Sequence, residues 1–135
     1  KPHGALYNLI AVNREKASVV IAAIQHVFEA VKLYVPYKSS IEEVAAQSGL
    51  EIVYEAFADR RYNEDLSLVS RTLSNALIVD KYEVSKQVQK ISDKQLVTTV
   101  NLNEKEIKAS TFCVHGDTKN AIEILQYLHK HIHTK

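Results

Sequence analysis

Short β-prone runs alternate with amphipathic helical stretches along this chain, and little polypeptide separates a run from the helix that follows it. A strand followed closely by a helix returns to a parallel neighbour, so the pattern predicts an α/β fold with parallel strands and helices packed outside them. No internal repeat, low-complexity tract or linker interrupts the 135 residues, which predicts one domain spanning 1–135.

The elements follow from spacing. Ala17, Val20, Ile21, Ile24, Val27, Phe28 and Val31 recur at helical intervals, with Asn13 placed to cap them. Lys32–Val35 and Ile52–Phe57 read as strands. Ser40-Ile41-Glu42-Glu43 reads as a capping box, and Gly49 suits the position just past that helix. Asp80-Lys81-Tyr82-Glu83 opens another helix, with Val84, Val88 and Ile91 as its stripe. Ala76–Val79, Leu96–Leu102 and Thr111–Val114 are further strand candidates. A last helix is expected from about Thr118 to His131, burying Ala121, Ile122, Leu125, Leu128 and Ile132.

The first eight residues read as a turn, since Pro2 cannot donate to a sheet ladder. That turn resembles one that follows a strand, yet no strand precedes it, and a sheet lacking its first strand exposes an unpaired edge. A closed (β/α)₈ barrel takes about 250 residues, so this chain supplies about half of one. The expectation is the C-terminal part of a longer polypeptide. The alternative is a small open sheet, complete as it stands.

Composition removes several functions. The formal charge is +1, which gives no electrostatic footprint for nucleic acid. No apolar stretch approaches the roughly 18 residues of a membrane span. A single cysteine, Cys113, precludes an internal disulfide framework and suits a reducing, cytoplasmic setting.

Glycine is scarce, and two of the three glycines follow histidine, in His3-Gly4 and His115-Gly116. Glycine serves where the backbone turns left-handed or approaches another group closely. Polar residues gather at or just past strand ends in three clusters: Lys1, His3 and Asn8; Glu55, Asp59, Arg60 and Arg61; His115 and Asp117. Sites in parallel α/β folds lie at that edge. Alternation puts Val53, Glu55 and Phe57 on one face of their strand, and Cys113 with His115 on one face of theirs. Glu55 then needs a partner, for which Lys1, Arg60 and a ligand are candidates. Plainer readings stand beside these. Glu55 with Arg60 is a structural ion pair, Asp117 caps the last helix, Cys113 fills the core, and His129 with His133 sits at a helix end that favours histidine. The last two are also spaced to share a metal.

The same clusters carry a resemblance. Lys1-Pro2-His3-Gly4-Ala5-Leu6-Tyr7-Asn8, then Glu55-Ala56-Phe57-Ala58-Asp59-Arg60-Arg61-Tyr62, then Leu68-Val69 with Arg71, then Cys113-Val114-His115-Gly116-Asp117-Thr118, resemble in order the motifs of the LamB/YcsF family. There are three departures: a usual glycine is replaced near Asp65-Leu66, Ser70 stands where proline is common, and Asn75 where glycine is. The resemblance implies the C-terminal half of a distorted β/α barrel of the glycoside hydrolase/deacetylase type. It implies ATP-dependent opening of 5-oxoproline to glutamate, with ATP as cosubstrate and partner subunits B and C. It also implies an N-terminal half of the chain preceding Lys1. No phosphate-cradling glycine loop occurs here, so the nucleotide is expected to be handled partly elsewhere.

The combined expectation assigns chemistry to His3, Glu55, Asp59, His115 and Asp117. Lys1, Gly4, Asn8, Arg60 and Gly116 are assigned to substrate binding, with Arg60 or Lys1 neutralising a carboxylate or phosphoryl group. One rival is a metal-dependent amide hydrolase or deacetylase of the same barrel type, with a divalent ion held by histidines and carboxylates. The other is a non-catalytic binding subunit or fragment. A homo-oligomer is compatible with either.

Overall fold

A computed structural model describes residues 1–132 and divides the chain into two compact units, Lys1–Glu55 and Ala56–Lys135.

The first unit begins with helix α1 (Gly4–Val12), where a turn was expected. Gly4 has φ +61, a left-handed entry that lets the chain wind into a helix straight after Pro2 and His3. Tyr7 and Ile10, three apart, are its buried positions. Asn13 then serves two helices. Its backbone N–H closes α1 on the Leu9 carbonyl, and its side chain accepts from Lys16 N at 2.9 Å to open α2 (Arg14–Val27). Strand β1 (Lys32–Val35) has the expected bounds.

Helix α3 (Ser40–Gln47) is capped one residue earlier than expected, by Ser39, which accepts from Glu42 N. S-x-x-E fits both registers. Glu43 is engaged by Arg14 of α2 at 2.8 Å, leaving Glu42 to reach back to Lys38 N. Gly49 ends the helix at φ +74: Leu50 N bonds the Ala45 carbonyl and Gly49 N the Ala46 carbonyl, a Schellman closure. Strand β2 (Glu51–Phe57) runs parallel to β1, pairing Lys32 with Glu51 through Val35 with Tyr54. Ile52 and Tyr54 pack with Ile10, Ile21, Val35 and Ile41 in this unit's core. Their strand neighbours Val53 and Glu55 therefore point to the opposite face.

The second unit begins with the last two residues of β2. Ala58 N bonds the Cys113 carbonyl of β5 (Thr111–Cys113). The chain then loops to Asp80, whose carboxylate accepts from Tyr82 N and Glu83 N and caps α4 (Lys81–Lys94) as expected. Ala76–Val79 makes no strand of its own. It is held instead by a single antiparallel bridge, Arg60 opposite Leu77, and by Ile78 N on the Asp59 carbonyl.

Leu96–Leu102 is not one parallel strand. It supplies β3 (Leu96–Thr98), which pairs antiparallel with β4 (Glu104–Glu106) in a hairpin. Too few residues separate β3 from β4 for a helical crossover, so antiparallel return is what remains. The final helix α5 (Ala121–His131) starts three residues later than expected, after Asn120 at φ +64. Its buried face centres on Ile124, with Leu128 and Ile132 packed beside it against Val84 and Val88 of α4. Ile122 and Leu125, assigned to the core from spacing, are exposed. His133 lies outside the described residues.

Candidate functional site

In the first unit, β2 presents Glu55 on the face turned away from α2 and α3. Its carboxylate is 4% exposed and receives Lys1 Nζ at Oε1. Of the candidate partners for Glu55, the fold selects Lys1, whose ammonium also stands 5.6 Å from the centre of the Tyr7 ring. Glu55 Oε2 has no hydrogen-bond partner among the described residues. His3 precedes the first turn of α1 without a side-chain cap, and Asn8 is exposed on that helix.

In the second unit the chain turns sharply after β2 and after β5, and the two turns face each other through Asp59. This carboxylate is fully buried. It accepts His115 N at 2.8 Å, His115 Nδ1 at 2.9 Å and the Thr118 hydroxyl. Burial opposes the charged carboxylate. The bonds from the His115 ring, Thr118 and the His115 amide outweigh that, and hold Asp59 below the usual carboxylate range. An ionised Asp59 fixes the hydrogen of a neutral His115 on Nδ1 and leaves the Nε2 lone pair available. Phe57 stacks under the imidazole, with centroids 5.2 Å apart and planes 12° from parallel. The arrangement suits proton transfer at Nε2: Asp59 orients the ring and stabilises the imidazolium that forms.

Asp117 does not cap α5. Its carboxylate receives both terminal nitrogens of Arg71, which hold it below the usual carboxylate range. Arg60 is 4% exposed, and Nη2 donates to the Val69 carbonyl at 2.6 Å. Burial first, then repulsion from Arg71, lowers the Arg60 pKa. The Gln87 carboxamide of α4 ties down the chain that carries Asp59 and Arg60, reaching the carbonyls of Phe57, Ala58 and Arg60 at 3.0, 3.1 and 3.0 Å.

Gly116 has an ordinary φ, and a Cβ built there meets nothing within 4 Å. Unlike Gly4, it has no conformational need of glycine. Thr118, Phe57 and Arg71 have no role assignable from sequence. Thr118 and Arg71 lie within the family motifs, but what they hold is set by residues 59 and 46 positions away. No group of three histidine, cysteine, aspartate or glutamate side chains is placed to hold a metal among the described residues.

The profile of the LamB/YcsF family matches residues 1–135. A Bacillus anthracis (strain A0248) protein, named as the A subunit of 5-oxoprolinase, is 38% identical over 131 residues, covering 96% of this chain and 52% of that protein. Its namesakes from Bacillus cereus (strain ATCC 10987 / NRS 248) and Bacillus thuringiensis subsp. konkukian (strain 97-27) are 38% and 37% identical over the same shares. The crystal structure of the lactam utilization protein from Thermus thermophilus superposes with a TM-score of 0.82 at 27% identity. The match covers 96% of this chain and 53% of that one. The chain thus spans about half the length of the curated relatives it matches.

Proposed function

The chain belongs to the LamB/YcsF family, and from that premise we propose that it forms part of the A subunit of an ATP-dependent 5-oxoprolinase. The reaction opens a cyclic amide. Resonance makes the lactam carbonyl a poor electrophile, and phosphoryl transfer from ATP to its oxygen would make the carbon attackable by water. In this reading His115 Nε2 takes the proton of the attacking water while Asp59 stabilises the imidazolium. The imidazolium returns the proton to the lactam ring nitrogen as the C–N bond breaks, and hydrolysis of the resulting acyl phosphate by a second water releases phosphate and glutamate. Arg60, which follows Asp59 directly, is the cation assigned to a carboxylate or phosphoryl oxygen of the ligand. Gly116 lies beside His115 in sequence and is assigned to substrate contact.

The observation that carries the reading is the buried Asp59 bound to His115 and Thr118. The names of the relatives supply the substrate class. The same names support partner subunits B and C, and the relatives' length supports a further half of the polypeptide. The lone cysteine supports a reducing, cytoplasmic place of action. Among the described residues no helix is long and apolar enough to cross a membrane.

The test is reconstitution of the full polypeptide with its partners, assaying ATP-dependent glutamate release. Asp59→Ala and His115→Ala are each expected to lower turnover by roughly 100-fold or more, the scale of a lost acid–base group. Turnover that survives both changes in folded protein would place the chemistry on the partner subunits.

A further inference from the structure

Arg60 carries a charge that the fold buries without a salt bridge among the described residues. The guanidinium is 4% exposed, and its Nε has no hydrogen-bond partner among the described residues. The carboxylates near it are committed elsewhere: Asp59 to His115 and Thr118, Asp117 to Arg71. Arg60 Nη2 holds the Val69 carbonyl at 2.6 Å, two residues before a second guanidinium, Arg71, whose repulsion adds to burial in lowering the Arg60 pKa. Two cations drawn together, one of them desolvated, form a poor arrangement until an anion joins them. Arg71 is 42% exposed and so is the half that a solute can reach.

We propose that Arg60 and Arg71 together seat an anionic oxygen group of the ligand, with Arg71 exchanging Asp117 for the incoming anion. Guanidinium forks match carboxylate and phosphoryl oxygens, and both share this chemistry. The seat lies in the same turn as the base. Asp117 follows His115 by two residues, and Thr118 N bonds the His115 carbonyl. Asp117 thereby acts as a placeholder, keeping Arg71 ordered while the site is empty. Identifying the anion as the carboxylate of 5-oxoproline rests on the function proposed above, whereas the seat itself does not.

The experiment is titration calorimetry on the full polypeptide with three probes: 5-oxoproline, its uncharged carboxamide and inorganic phosphate. Arg71→Gln is expected to weaken anion binding by about tenfold, one charge-assisted contact. Asp117→Asn is expected to strengthen it a few-fold by removing the competitor. If 5-oxoproline binds in this Arg71-dependent way and its carboxamide does not, the seated group is the carboxylate. If only phosphate shows the dependence, the seat stands and takes a phosphoryl group. If neither anion binds the wild type, or folded Arg71→Gln binds both unchanged, the seat is overturned. That result leaves the loss of turnover in His115→Ala untouched, so the two proposals fail separately.

Discussion

His115 Nδ1 stands 2.9 Å from Oδ1 of Asp59, and the backbone N–H of the same histidine stands 2.8 Å from Oδ2. One carboxylate thus fixes both the position of residue 115 and the orientation of its ring. The pair joins residues 56 positions apart in sequence. It also makes the chemistry of the imidazole inseparable from the packing of the second unit.

Removing the charge at Asp59 should therefore cost stability as well as activity. In Asp59→Asn an amide NH₂ faces donors that meet an acceptor in the wild type. The expected loss is about 2 kcal/mol, the scale of hydrogen bonds to a buried charged group. Urea unfolding of the two proteins measures it, and superimposable curves would contradict the structural role given to the carboxylate.

Acid unfolding should report the same group. Asp59 titrates below its unfolded value of about 3.9, so its contribution is whole above that pH and is lost as pH falls through the depressed folded value. Stability measured from about pH 6 downward should fall less steeply in Asp59→Asn than in the wild type. Parallel acid limbs would rule the mechanism out.

The alkaline side has a different sensor, in the first unit. The Tyr54 hydroxyl donates to Glu42 Oε1 at 2.6 Å, and its pKa is pushed up to about 12, first by that bond and then by burial. A raised folded value means stabilisation that is whole below the unfolded value of about 10 and lost as pH climbs from there through about 12. Tyr54→Phe should flatten this limb, and absorbance titration of the tyrosinates should lose a late step near pH 12. A titration curve that keeps that late step would assign it to another tyrosine.

Backbone conformation separates the three glycines. Gly4→Ala and Gly49→Ala place a side chain at φ +61 and +74 with no steric contact to blame, so each should cost about 1 kcal/mol for the left-handed conformation alone. Gly116→Ala should leave stability unchanged, since its φ is ordinary and the space open. Leu66 is the converse. It takes φ +65 in its loop, and Leu66→Gly should gain about 0.5 kcal/mol once the added chain entropy is counted. Thermal melts of the four variants give the ranking directly.

The legible parts of this chain are those decided by neighbours in sequence. β1 is readable to the residue because the short run Lys32-Leu33-Tyr34-Val35 is stopped by Pro36. The caps Asn13 and Asp80 are readable because each bonds an amide two or three residues on. Helix α1 is hidden, since Pro2 and Gly4 mimic a turn and only Tyr7 and Ile10 mark its buried side. β4 is hidden because Glu-Lys-Glu carries no apolar alternation, and its pairing to Val97 arises only in the hairpin. Asp59 and His115 can be picked out as polar residues at strand ends. Their mutual bond, the Thr118 contact and the capture of Asp117 by Arg71 depend on which turns the fold brings face to face.

Gln87 extends the reach of these turns outward. A single side chain on α4 gathers three carbonyls from just before and after Asp59. The amide carries only two hydrogens for three acceptors, so all three peptide planes must lean toward one point. The polypeptide thread bearing the acid is in effect knotted to the scaffold's outer wall. Wear on that wall, whether by deamidation or by a neighbour prising α4 aside, would reach the imidazole without any ligand-contacting atom having changed.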